Sequence, residues 1–441
     1  MKRSESLRVS RLPLILLLTL GVTAIILCFS LYWVSTDAAV YLPAARFMAA
    51  GNLPYREFVH NYTPIVLSVH ALLWKIWPGI PYGAFVYLQQ AVVLAGALLC
   101  FRLALHTFHQ SYQTSLCISI AYYLAVLAQE GNLIVLEPWV LLFVWLSFSL
   151  FFQKGRAKYL GAGIFIGLAF FCKQYGVLYL LPMLVYLGVK RDLPSIFQLL
   201  AGAALPVVLA ILLLWIFKIP LDYTLTQLLA VDHQQLNTEG IFTMFTFLYG
   251  GKVLGWLLLI SAAIIFVRHL YSEHRALFFF IISGVIILLL PTLFRHFSHY
   301  FMLSLPFLCI GWMVGLPASN TRKSFFFVLA TLPVSIVFFA REYKNKDTYR
   351  WQKLNAEKVA IYAPMGANAY TPVNLSYLSV INQYTIPFAV QKGFAFVKLP
   401  FDKYEPLLPV GSFFYSEIPI EGVKVNLSNE QFIYLYKKVE D

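Results

Sequence analysis

The chain has 441 residues, of which 60% are hydrophobic and only 12% charged. A soluble domain carries about 25% charged residues, so this composition argues against one. The net charge is +13, and residues 1–340 hold 21 Lys/Arg against 10 Asp/Glu. That excess lies between long apolar runs. It reads as a membrane topology signal and not as a nucleic-acid surface.

The first apolar run, Leu14–Val34, is too long for a signal-peptide core and is read as a retained anchor. A long loop, roughly 35–81, follows. Within it Asp37, Tyr41, Ala44, Ala45 and Met48 recur at helical spacing until Gly51-Asn52 stops the pattern. A second short apolar stretch, Ile65–Trp77, predicts another helix at the membrane interface, with Trp74 and Trp77 at headgroup depth.

Further spans are predicted near 82–103, 115–128, 138–152, 159–172, 175–189, 197–217, 253–267, 276–293, 301–316 and 324–340, about eleven in all. Gly163 and Gly167 form a small-xxx-small pair suited to close helix packing. Leu221–Asn237 is amphipathic and reads as a lid helix. With the N-terminus inside, the inner side receives 14 Lys/Arg and the outer side 7, as the positive-inside rule requires. An odd number of crossings then puts residues 341–441 outside. The acids have the opposite bias: Asp37, Glu57, Glu130, Glu137, Asp222, Asp232 and Glu239 face outward, which suggests a polar site there.

The fold class expected is therefore an α-helical polytopic membrane protein with a small extracytoplasmic α/β domain. The transmembrane domain covers 1–340 and the α/β domain 341–441. In the latter, strands are predicted at Val359–Tyr362, Phe394–Val397, Ser412–Tyr415 and Phe432–Tyr436. The cysteines Cys28, Cys100, Cys117, Cys172 and Cys309 all lie in apolar runs, with no zinc or redox spacing.

Several polar residues are placed to carry chemistry. Asp37, just past the first span, can take a proton from a hydroxyl, or can serve the start of the interface helix. Glu137 precedes Pro138, and it and Glu130 either add to an acidic cluster or complement a helix start. Lys173 interrupts an apolar stretch, as a site cation or as a snorkelling lysine. The run Arg295-His296-Phe297-Ser298-His299-Tyr300 supplies the positive charge and donors that a phosphate leaving group needs, or is a polar loop. His296 and His299 have no third metal ligand nearby in sequence, so no metal is indicated.

The stretch Thr36-Asp37-x3-Tyr41-x2-Ala44-x6-Gly51-x2-Pro54-Tyr55-x-Glu57-Phe58 resembles the first-loop signature of GT-C type integral-membrane glycosyltransferases. It is similar in particular to the bacterial group related to protein O-mannosyltransferases and to the aminoarabinose transferase of lipid A. Glu137-Pro138, Gly167-Leu168-Ala169 before Lys173-Gln174, and His299-Tyr300 before Pro306 extend the resemblance over roughly 14–340. There are departures. Ala38 follows Asp37 where the mannosyltransferases carry an acid, and Tyr62-Thr63-Pro64 stands where the aminoarabinose group has Lys-Pro-Pro.

The resemblance implies transfer of a sugar from a polyprenyl-phosphate donor to a lipid, glycan or protein acceptor. The reaction would take place on the outer face of a bacterial plasma membrane, with inversion and without a cofactor. It implies Asp37 as general base, Glu137 as second acid, and Lys173 and Arg295 on the leaving phosphate. Tyr41, Tyr55, Glu57, Glu130, His296, His299 and Tyr300 would contact substrate. A transporter or flippase, or an O-antigen ligase or polymerase, is the alternative. Span centres almost free of charge argue against the transporter.

Overall fold

The structure, a computed structural model, describes residues 34, 36–58, 63–131, 133–153, 155, 157–229, 271, 274–294, 298–315, 350–363, 369–370, 413–416, 423–426 and 432–437. They fall into two compact units, one drawn from 1–28, 87–212 and 231–341, the other from 29–86, 213–230 and 342–441. The unit that takes in the tail therefore also takes in the first loop.

In that second unit, α1 (Thr36–Ala49) buries Ala38, Tyr41, Leu42 and Ala45, the i, i+3, i+4, i+7 spacing of one helical face. Gly51 ends it at φ +101, a conformation open to glycine, and the Asn52 side chain donates to the Phe47 carbonyl at 3.1 Å. α2 (Pro64–Ile76) starts on a proline, whose missing N–H costs nothing in a first turn. Trp77 is exposed as an interface residue would be, but Trp74 is buried against Phe85, with the Arg46 guanidinium 5.7 Å above its ring. α9 (Leu221–Leu229) coincides with the start of the predicted lid helix.

The tail differs from expectation in more than one element. Residues 350–360 are helical, so the strand predicted at Val359–Tyr362 is the end of a helix and a turn. Gln352, Asn355, Ala356, Val359 and Ala363 are buried at helical spacing, and that stripe outweighs the local β-type composition. Gln352 also closes both backbone groups of Val34, accepting from its N–H at 2.9 Å and donating to its carbonyl at 3.2 Å. Strands β1 (Ala369–Tyr370), β2 (Phe413–Ser416), β3 (Val423–Asn426) and β4 (Phe432–Lys437) form a sheet ordered β1-β2-β4-β3. β1 runs parallel to β2, and the other pairs are antiparallel, with Phe414 opposite Tyr436. β2 and β4 match the predicted strands, β1 and β3 were not anticipated, and the predicted strand 394–397 lies outside the described residues.

The first unit is a helical bundle. It contains α4 (Tyr112–Val126), α5 (Glu137–Phe151), α6 (Lys158–Phe170), α7 (Leu180–Val189), α10 (Arg275–Phe294) and α11 (Leu305–Gly315). It also holds most of α3 (Tyr82–His106) and α8 (Leu193–Ile216). Eight predicted spans fall on described residues, and all eight are helical; those at 14–34, 253–267 and 324–340 lie outside them. On length and composition α3 and α8 can cross a bilayer. α8 is the more telling: Phe197 is 71% exposed and Trp215 78%, on a helix of mean hydropathy 2.7. An exposed helix that is apolar all round requires lipid as its solvent.

Other predicted spans are composites. Residues 174–189 combine a 3₁₀ stretch (Gln174–Tyr179) with α7, reaching about 27 Å against a hydrocarbon core of about 30 Å. Phe148, Phe151, Tyr186, Phe280 and Phe307 fill the bundle with edge-on, tilted and stacked ring contacts. The predicted glycine pair lies where α6 meets α8. A Cβ on Gly163 would overlap the Leu199 carbonyl, and one on Gly167 would lie 2.7 Å from the Ala203 carbonyl oxygen.

Candidate active site

Three departures from α-helix converge in the bundle. α4 runs into a π-helical turn, Leu127–Gly131. α6 ends at Phe170, and Lys173 takes an extended backbone (φ −161, ψ 143) before the 3₁₀ stretch Gln174–Tyr179. A second 3₁₀ stretch, Ser298–Ser304, precedes α11. The stretch at 298–304 packs against both the π turn and α5. Non-helical backbone at membrane depth persists only where protein or a cavity surrounds it, and π turns cluster at functional sites.

At this meeting point the Lys173 ammonium donates to Glu137 Oε1. Glu137 is fully buried and Lys173 only 4% exposed, so the lysine does not snorkel. The ammonium also lies 4.7 Å from the Tyr300 ring centroid and 5.9 Å from that of Tyr175, and these two rings meet edge-on at 5.3 Å. A desolvated cation against aromatic faces gains about 2 kcal/mol or more. The lysine is therefore held on one side by a carboxylate and on another by two tyrosines.

Local structure explains the placement. α5 begins at Glu137 with Pro138 next, so Glu137 lies in its first turn, where the helix dipole favours negative charge. Lys173 reaches the pair because the chain breaks α6 there, its N–H still bonded to the Ala169 carbonyl at 3.1 Å. Gln89 on α3 locks the approach to α5: it donates to the Val135 carbonyl and accepts from the Trp139 indole, both at 2.9 Å. Tyr179 donates its hydroxyl to the Leu303 carbonyl and so ties the two 3₁₀ stretches together.

Of the sequence candidates, Glu137, Lys173 and Tyr300 are brought together here. Glu130 falls in the π turn and His299 in the 298–304 stretch, while Arg295 and His296 lie outside the described residues. Tyr175, Tyr179 and Gln89 are additions. Tyr175 lies two residues from Lys173, but nothing in the spacing points to its ring.

The remaining candidates belong to the other unit. Asp37 is half-buried in the first turn of α1, and Tyr41 is buried on the same helix. Tyr55 is 2% exposed and has φ +64, a left-handed conformation uncommon outside glycine and typical of constrained loops. Its N–H donates to the Phe58 carbonyl at 2.9 Å. Glu57 closes this turn by accepting from the Leu53 N–H, and it pairs with Arg56. The backbone bond and then Arg56 hold its carboxyl below the usual range. Arg56 in turn donates to the Phe217 carbonyl at 3.0 Å.

No family model matches the chain, and no curated protein sequence does. Among solved structures, the crystal structure of ArnT from Cupriavidus metallidurans bound to undecaprenyl phosphate matches 96% of this chain and 97% of its own. The TM-score is 0.68 at 12% sequence identity. The two chains share one fold. The likeness in fold to ArnT covers nearly the whole chain, the first-loop segment included.

Proposed function

We propose that the protein is an integral-membrane glycosyltransferase that takes its sugar from a polyprenyl-phosphate donor. The observation that carries this reading is the fold shared with ArnT, whose crystal structure contains undecaprenyl phosphate, over 96% of the chain. The convergence of broken helices on a buried, charged pair supports it independently, because a passive bundle has no need of such an arrangement.

In the proposed reaction an acceptor hydroxyl attacks the anomeric carbon of the sugar from the face opposite the phosphate. Asp37 receives the hydroxyl proton as general base. The new glycosidic bond forms as the bond from carbon to phosphate oxygen breaks, and the polyprenyl phosphate leaves with the electron pair. Displacement from the opposite face inverts the anomeric centre.

Lys173 and Arg295 stabilise the leaving phosphate. Glu137, the second acid, positions the acceptor or Asp37, and its bond to Lys173 fixes the ammonium so that it requires little reorganisation as charge develops. The acceptor is a lipid, glycan or protein on the extracytoplasmic face, where the tail is also placed.

The test is sugar release from a panel of polyprenyl-phosphate sugars by the purified protein in lipid nanodiscs, wild type beside Asp37→Asn, with a mixed glycolipid acceptor pool. Release by wild type and a loss of at least about 100-fold in the variant is expected for removal of a general base. Equal release by folded Asp37→Asn protein would remove Asp37 from that role. No release from any donor would overturn the transferase reading.

A further inference from the structure

We infer that the bundle carries a second anion site, a pocket for the phosphate headgroup of an anionic phospholipid, at the end of α5 opposite Glu137. A cavity of about 530 Å³ is lined there by Arg102, His106, Thr107, His109, Ser149 and Gln153. α5 has 15 residues, so this site lies about 22 Å along the helix from the Glu137–Lys173 pair. It is a separate site and takes no part in the proposed transfer.

Its chemistry is one-sided. The lining has an arginine, two histidines, two hydroxyls and an amide, and no Asp or Glu. The sequence has no acid between Glu57 and Glu130, nor between Glu137 and Asp192, so the segments that build the pocket bring no counter-charge of their own. Arg102 makes no ion pair among the described residues. The Ser149 hydroxyl oxygen is buried without a hydrogen-bond partner among them.

The plain alternative is that these cations serve the negative helix ends, since α3 and α5 both terminate here. Part of each end already has partners. The Leu103 carbonyl accepts from the Thr107 and Phe108 N–H groups, and the Ala104 carbonyl from that of Gln110. His109 makes this closure by adopting φ +52. At the end of α5 the Lys158 ammonium donates to the Gln153 carbonyl at 2.7 Å. Arg102 and the histidines remain available to an added anion.

Position selects the ligand. The pocket sits at the end of α3, which is long and apolar enough to cross a bilayer, so its lining falls where a spanning helix meets headgroups, and Phe152 and Leu103 complete its wall with apolar surface. Basic pockets between helices at that depth suit lipid phosphates. A diester phosphate beside an apolar wall suits a phospholipid better than a free ion.

Native mass spectrometry of the full-length protein with added phosphatidylglycerol or phosphatidylcholine tests this. Wild type should retain phosphatidylglycerol preferentially. Arg102→Gln should weaken retention about fivefold, the effect of one basic residue near an anionic surface. His106→Gln/His109→Gln should also weaken it, and Arg102→Lys should preserve it.

Unchanged retention in the folded Arg102→Gln and double-histidine variants would overturn the proposal. Displacement of phosphatidylglycerol by inorganic phosphate at equal concentration would also overturn it, by making this a free-anion site. A photoreactive phosphatidylglycerol on wild-type protein needs no variant to fold. Crosslinks within 102–109 and 149–153 support the site, and crosslinks confined to other segments refute it.

Discussion

Replacing Lys173 with methionine keeps most of the side chain's volume and removes only its charge. In this structure that leaves Glu137 fully buried without the cation that donates to it. Breaking one member out of a buried ion pair costs about 3–5 kcal/mol, because the remaining charge is stranded in low dielectric. Loss of the cation's contact with the Tyr300 ring, about 2 kcal/mol when desolvated, places the expected cost near the upper end of that range. Glu137→Gln should destabilise similarly by stranding the lysine.

The double variant Lys173→Met/Glu137→Gln removes both charges at once. A buried pair exchanged for neutral groups of similar size is often close to neutral in stability. The two single changes should therefore be strongly non-additive, with a coupling energy of about 3 kcal/mol or more. Equilibrium unfolding in mixed micelles with rising SDS, followed by tryptophan fluorescence, measures all four corners of the cycle. Single variants within about 1 kcal/mol of wild type, or a double variant equal to the sum of the singles, would refute the buried pair.

Two further outcomes follow from the fold. Gly163→Val should destabilise the bundle by about 1–3 kcal/mol in the same unfolding assay, because its Cβ would meet the Leu199 backbone, whereas Gly188→Ala, with open space at its Cβ, should be neutral or slightly stabilising. Glu57 provides a pH signature, since its carboxyl titrates below the usual value of 4.5. Its contribution to the 53–57 turn is fully present above the unfolded carboxyl's pKa and is lost as pH falls through the lowered folded value. Proteolysis of that loop should rise with acidification below about pH 4.5 in wild type, and Glu57→Gln should abolish the dependence.

Much of the site's raw material was legible in the chain. Glu137 was marked by Pro138, and Lys173 stood out as a charge in an apolar stretch. Their pairing was not legible, because 36 residues separate them and helical spacing carries no information across a turn. Tyr300 was singled out with His299, but Tyr175 beside the lysine was hidden for a related reason: an aromatic residue in an aromatic-rich membrane chain looks like any other core residue. Val359–Tyr362 was misread because a short β-branched run has the same composition in a strand and at a helix end. Only the neighbours that bury Gln352, Ala356 and Val359 separate the two.

The sequence by itself determined where the eight described spans lie and that they are helical, since hydrocarbon forces every apolar run of sufficient length to satisfy its own backbone bonds. It also determined the glycine face of α6, because close helix approach needs small residues at a fixed spacing. Tertiary structure alone decided which helices break and where those breaks meet. A helix surrenders its ladder only where partners from distant segments compensate, as Glu137 and Tyr300 do at Lys173. It likewise decided that the first loop and the tail share one compact unit, because the contacts that join them lie far apart in the chain, as in the Gln352 bonds to Val34.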